Sequence, residues 1–498
     1  MRALISRHGL LFPKRRDELT VREAESSTPE LPVFELSLPD GKRMRTDART
    51  KAIVLLFSGY RHLGEVAARA QEQFPDVTEE DVWIVLDEQL SFGAVILNQD
   101  RMLPQASAPE HFDVTPGARF EFGLCSDSCR RFHAGPVTAP YADWLSENPV
   151  IRALPAYAER ELFEPLPSDE RYRQVRHEEG ACIFLSGSHC VIERELGVAA
   201  QPQPCRGYPF QLMRTPRGSF YSLEPVDRRV FRSSATGIEL SSDEGQLELR
   251  LRLHDFPGRR FRRDEVLLLP NYRVLFPVYL RLEEKILSEL GRNPRQSALE
   301  FLRRVITAVV WLPSIAPQLT NIIEAVHDLR FDDVRLQGPF WEGFWHTFTP
   351  ALHQLTGCLE TMAEAAQTTD FARAEILELL AATLALREIW ESEGYEPLRK
   401  MTVEPECNAI FHLALEHFLY GKAFLLFPNL ASALTAVLFG FFVVRTGSDQ
   451  RADDGGTAFR SEEDFARLSS AWYAVMREEP LREILTPRDE LDRFFDQL

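Results

Sequence analysis

Five of the seven cysteines in this chain fall within 81 residues, at Cys125, Cys129, Cys182, Cys190 and Cys205; only Cys358 and Cys407 stand elsewhere. No other feature constrains the fold as tightly. Thiols crowded in this way pair as disulfides, hold a metal or do redox chemistry, or else are unrelated core residues. The count is odd, and the N-terminal MRALISRHGLLFPKRRDE has an apolar run too short for a secretory signal. The chain therefore reads as cytoplasmic, where thiols stay reduced and a cluster is more often a ligand set than a disulfide framework.

The stretch ACIFLSGSHCVIE pairs two of these cysteines in apolar, β-prone runs around Ser186-Gly187-Ser188, the pattern of a hairpin. A two-residue turn would put Cys182 and Cys190 on opposite faces. A three-residue Ser-Gly-Ser loop would set Phe184 against Cys190 and Ile192 against Cys182. Both thiols would then be diagonal neighbours on one face, about 7–8 Å apart at the backbone. The three-residue loop is the expectation, with Cys182 resting on that register. Cys205 follows the stiff approach QPQPC. Arg206 beside it is expected to offset the charge of a thiolate cluster or to fork a substrate carboxylate. His189 should point away from the thiols; His133 has a weaker claim as a ligand, and Cys358 and Cys407 read as core thiols.

Other metal and nucleotide motifs are missing. A radical CxxxCxxC loop starting at Cys125 would need a cysteine where the chain has Phe132. There is no CxxC pair, HExxH or GxGxxG.

A length of 498 residues implies more than one domain. The net charge of −18 argues against nucleic acid as a partner. Residues 33–97 carry a hairpin around Asp40-Gly41, three short helical patterns and a strand in FGAVIL, the order of a small winged helix. Thr78 with Asp81 should cap the third helix. The alternation Leu247, Leu249, Leu251, Leu253 predicts a strand, and GSDQRADDGGT at 447–457 predicts a polar loop. Helical patterns dominate from about 265. Ala423 to Val444 carries no charge over 22 residues, but Pro428-Asn429 interrupts it, so a buried, broken helix pair is expected rather than a stable membrane insertion. The run Arg250, Arg252, Arg259, Arg260, Arg262, Arg263 reads as a solvated, salt-bridged face, with a grip on phosphate or an acidic peptide as the alternative. The fold class is thus α+β and multidomain. Residues 1–110 are a winged-helix domain, 111–264 a cysteine-cluster domain with short strands, and 265–498 a mostly α-helical region.

Four elements in order resemble the YkgJ-type cysteine-cluster family, which includes flagellin lysine-N-methylases. Cys125-Ser-Asp-Ser128-Cys129-Arg130 matches its CxxCCR, with Ser128 at one family cysteine. Cys182-Ile-Phe-Leu185 matches C-x-x-L, Cys190-Val-Ile192 matches C-x-I, and Pro204-Cys205-Arg206-Gly-Tyr208-Pro209 matches the Pro-rich CRxFP. HFLYGKAFLLFPNL looks like the helical region of the methylase branch. Some members carry a later Cys-Pro where this chain has Glu224-Pro225. The resemblance covers roughly 111–498. It implies a thiolate site using four of Cys125, Cys129, Cys182, Cys190 and Cys205. That site would hold a [4Fe–4S] cluster, or zinc as the alternative. It also implies lysine N-methylation of a peptide or protein with S-adenosylmethionine. The N-terminal unit resembles PqqD-like peptide-recognition domains, which bind a leader peptide. The competing expectation is a non-catalytic, metal-stabilised peptide-binding or scaffold protein; a winged-helix regulator with a metal sensor fits the charge poorly.

Overall fold

The structure, a computed structural model, describes residues 13–15, 19–24, 32–57, 63–92, 94–97, 111–123, 128–131, 136–166, 169–253, 256, 258–292, 296–316, 319–336, 338–365, 370–401, 405–455 and 462–485. It is a mixed α+β protein dominated by helices, with small sheets of two or three strands.

At the N-terminal end, Thr20–Glu23, Val33–Ser37 and Arg43–Asp47 form an antiparallel sheet in sequence order. The second turn needs Gly41, whose φ of +85° disfavours a side chain. Helices Ala48–Leu56, Leu63–Gln71 and Glu79–Phe92 follow, then Val95–Leu97, which pairs antiparallel with Pro13–Arg15. Asp47 starts the first helix by accepting from the Thr50 N–H at 2.7 Å. Thr78 and Asp81 cap the third reciprocally: the Thr78 N–H donates to Asp81 Oδ2 at 2.8 Å and the Asp81 N–H to Thr78 Oγ1 at 3.3 Å. Ile53, Phe57, Val66, Ala70, Val82 and Leu86 belong to an apolar core made entirely within this unit.

Two segments depart from expectation. Residues 247–253 are not a strand but part of helix Asp243–Leu253. Alternating leucines mimic a strand, yet this helix is buried on most sides, so alternation carries no facial information. Ser242 caps it, accepting from the Gly245 N–H at 3.1 Å. Asp243 and Glu244 occupy its first turn and Arg250 and Arg252 its last, matching the helix dipole. The expected loop at 447–457 is likewise helical through Gly455, as the end of helix Leu430–Gly455.

That long helix is the centre of the C-terminal half. Asn429 caps it, accepting from the Ser432 N–H at 2.9 Å. It packs against helices Ala298–Ile315, Asp370–Glu393 and Glu462–Arg477. Leu430–Gly447 is long and apolar enough to cross a membrane, but 94% of that window is buried inside the protein. The close approach depends on Gly440, where an added Cβ would fall 1.9 Å from Trp472 Nε1.

A polar seam joins the cysteine-bearing segment to this half. Thr115 Oγ1, Ser222 Oγ and His417 Nδ1 form a buried triangle with sides of 2.9, 3.1 and 3.2 Å. Burial drives His417 down to about 3, so it is neutral. Beside it, Gln211 Nε2 donates to the Gly421 carbonyl at 3.1 Å and the Tyr420 hydroxyl to Asp113 at 2.5 Å.

Candidate functional site

Cys182 and Cys190 lie on two successive hairpins rather than one. Ala181–Cys182 pairs with His177–Glu178, and His189–Cys190 pairs with Leu185–Ser186. The expected register, with Phe184 opposite Cys190 and Ile192 opposite Cys182, is therefore wrong: Leu185 faces Cys190 and His177 faces Cys182. Local backbone chemistry explains the change. Gly187, at φ +63°, opens a two-residue turn, which a Ser-Gly-Ser loop would not use. Glu179 and Gly180, at φ +51° and +76°, form another two-residue turn, with positive φ at both central positions as a type I′ turn requires. Cys190 then ends its strand and becomes the N-cap of helix Val191–Leu196, so Ile192 is helical.

The two thiols nonetheless share one core. Both are buried in one apolar cluster with Tyr157, Phe163 and Phe184. Tyr157 stacks on Phe184 with centroids 5.7 Å apart and donates its hydroxyl to the Ile183 carbonyl at 3.1 Å, fixing the turn that links the two hairpins. Burial, and then the neighbouring Cys190, push the Cys182 thiol up to about 12, while the backbone N–H groups of Phe184 and Leu185 bond to its sulfur and oppose the shift. Two N–H donors on one sulfur favour the thiolate. A bound metal cation would supply the further charge needed to ionise the site.

Cys129 sits on the one-turn helix Ser128–Arg131, half-buried against the same cluster and packed on strand Ala181–Cys182. Cys125 and His133 lie outside the described residues. The carbonyl of Gly123, two positions before Cys125, is 3.4 Å from Nδ1 of His189, whose side chain is exposed while that of Cys190 is buried. Among the described residues no three His, Cys, Asp or Glu side chains come together as a metal group. The donors present therefore fit a thiolate centre in kind but supply less than a full ligand set. Cys205 is half-buried on the short helix Gln203–Gly207, outside this cluster and against helix Asp243–Leu253. Arg206 is buried, at 3% exposure. Cys407 is in the helical core and Cys358 packs against it. All six described cysteines are thiols.

Two features escaped the sequence reading. A cavity of about 710 Å³ opens beside Cys182, with Arg130 and Arg160 on its walls. Arg160 pairs with Glu178 at 3.3 Å. Further in, Arg252 is not on a solvated face: it is buried, ion-paired to Glu193 and, at 3.2 Å, to Glu248, with its guanidinium 5.1 Å from the Phe122 ring centroid. It thereby ties the helix capped by Cys190 to helix Asp243–Leu253. The Glu248 pair was legible from its i,i+4 spacing; the Glu193 pair, 59 residues away, left no local signal.

No family model, curated protein or solved structure matches the chain.

Proposed function

We propose that the chain is a thiolate-metal protein acting on a peptide or protein, with Cys182 and Cys190 as the first two ligands and Cys129 and Cys125 completing the set. The observation that carries this reading is the buried pair of thiols with two backbone N–H donors on the Cys182 sulfur. Hydrogen bonds of this kind tune thiolate-bound iron and zinc, and an apolar shell keeps water from the centre. By its likeness to the cysteine-cluster family, the metal is a [4Fe–4S] cluster, or zinc, and the reaction is lysine N-methylation with S-adenosylmethionine in the cytoplasm. The N-terminal unit, with its sheet, three helices and returning strand, supports a winged-helix domain in 1–110 that holds the target. The cluster segment, 111–264, and the helical region, 265–498, form the rest. In the cavity beside Cys182, Arg160 is held by Glu178, which leaves Arg130 as the side chain assigned to an anionic group of the substrate. Buried Arg206 suits a fixed countercharge better than a fork for a carboxylate arriving from solvent. A second reading keeps the metal and drops catalysis: the thiol pair lies in a packed core, as a structural centre would, making the chain a metal-stabilised binding scaffold.

Metal analysis with a visible spectrum of anaerobically purified protein tests the proposal. Iron with sulfide and a visible absorbance shoulder supports the cluster enzyme; colourless protein with bound zinc supports the scaffold. Protein that takes up neither metal stoichiometrically, even after reconstitution, overturns both.

A further inference from the structure

A cavity of about 310 Å³ lies between helices Arg228–Thr236, Phe276–Arg292 and Pro405–Tyr420 and the first turn of Glu462–Arg477, none of which carries Cys129, Cys182, Cys190 or Cys205. Its walls are mostly apolar, from Phe231, Leu287, Leu290, Ile410 and Leu413. Its volume is at the lower end of the range for small-molecule sites, about 300–1,000 Å³. One carboxyl group, Glu416, projects from the same face of helix Pro405–Tyr420 as Ile410 and Leu413, and is half-buried. Among the described residues it makes no hydrogen bond or ion pair, and no lysine or arginine among them lines the cavity.

Among the described residues, the charged surroundings leave Glu416 uncompensated. From helix Arg228–Thr236, Arg228 and Arg232 are engaged by Glu463, and Ser234 is the polar group that faces the cavity. Among the described residues, helix Phe276–Arg292 contributes Leu287, Leu290 and Gly291. The start of Glu462–Arg477 adds another carboxylate, Glu462, at the rim. On its own helix, His412 Nε2 is 2.9 Å from the Gln296 carbonyl and burial lowers its basicity below the ordinary histidine value, so it adds no charge at pH 8.5. Desolvation alone pushes Glu416 up to about 7.

We propose that this cavity binds a small alkylammonium group, with the aliphatic stem against Phe231, Leu287 and Leu290 and the cationic head on the Glu416 carboxylate. An anion would meet two carboxylates. A neutral apolar molecule would leave a carboxylate dehydrated without a partner, which is costly. An alkylammonium satisfies both halves of the site. This proposal is independent of the thiolate centre. The same chemistry is offered by a free aliphatic amine and by a lysine side chain of a peptide.

The test is calorimetric titration of the full-length protein with n-butylammonium chloride, with n-butanol, and with a blocked Gly-Lys-Gly tripeptide. Saturable binding of butylammonium at pH 8.5 is expected, at least tenfold weaker at pH 5.5, where Glu416 is protonated. Butanol should bind at least tenfold more weakly than the amine. Glu416→Gln, checked for an unchanged melting temperature, should abolish binding, and Glu416→Asp should retain part of it. Binding of the tripeptide as well identifies protein lysine as the source; binding of butylammonium alone identifies a free amine. No saturable binding of either cation at pH 8.5, equal binding of butanol, or unchanged binding by folded Glu416→Gln overturns the proposal.

Discussion

Lys422 Nζ lies 2.6 Å from Glu283 Oε1, and neither side chain is more than 6% exposed. The ammonium also donates to the Tyr420 carbonyl at 2.8 Å and sits 3.9 Å from the centroid of the Phe220 ring, while the Tyr279 hydroxyl donates to the other Glu283 oxygen at 2.5 Å. Lys422 holds a left-handed backbone, with φ +57°, so the pair fixes the turn into the central helix as well as the charges. Lys422→Met strands a buried carboxylate and should cost about 3–5 kcal/mol in urea unfolding. Adding Glu283→Gln should recover a large part of that loss. Equal destabilisation by the single and double variants would show that packing, not charge, sets the cost.

His417 and Glu416 are neighbours in sequence with opposite pH behaviour. His417 is depressed from 6.5 to about 3, so the unfolded chain binds the extra proton and stability falls as pH drops below 6.5. Glu416 is raised from 4.5 to about 7, so the folded chain binds the extra proton and stability rises as pH falls from 7 to 4.5. Each slope is up to about 1.4 kcal/mol per pH unit, less for half-buried Glu416. From pH 7 to pH 5, the penalty of His417→Gln should shrink and that of Glu416→Gln should grow. Parallel shifts would refute the assignment.

Metal-free protein should lose stability in alkali through Cys182. Its thiol is raised from 9.0 to about 12, so between those values the unfolded chain ionises while the folded one does not. Unfolding free energy should fall with a slope of up to about 1.4 kcal/mol per unit above pH 9, and Cys182→Ala should flatten that slope.

Gly440→Ala places a methyl group within the indole of Trp472. Two rigid helices meet there, so overpacking should cost about 3 kcal/mol or more, read as a lowered midpoint in urea. Pairing it with Trp472→Phe should relieve part of the clash.

Cysteine-to-serine variants should separate the thiols. Cys190→Ser should lose metal, since a serine hydroxyl stays protonated and ligates poorly. Cys205→Ser, outside the apolar cluster, should keep it. Metal loss from Cys205→Ser with retention in Cys190→Ser would invert the ligand assignment.

Much of the architecture was written locally. The Asp40-Gly41 turn, the Thr78–Asp81 cap, the buried helix after Pro428-Asn429 and the core positions of Cys358 and Cys407 each depend on a few adjacent residues. The errors arose where side-chain alternation was read without its context. Ser242-Asp243-Glu244 announced a helix start, but the leucine alternation after it outweighed that signal. In the cysteine hairpins, register turned on whether Gly187 opens or centres its turn, a backbone choice that composition does not reveal. The pairing of Arg252 with Glu193 and the pocket around Glu416 arise from packing between distant helices and were beyond local reading.

Thr115 and His417, joined in the buried triangle, are 302 residues apart in the chain. At roughly 5–20 residues per second of synthesis, about 15–60 s separate the emergence of the first from that of its partner. For the last 195 of those residues, from the emergence of Ser222 to that of His417, the strands carrying Ser222 and Gln211 have no cover for polar groups destined for the interior. The nascent cysteine segment is thus committed to waiting, half-finished and exposed to cellular chaperones, until almost the whole polypeptide has been made.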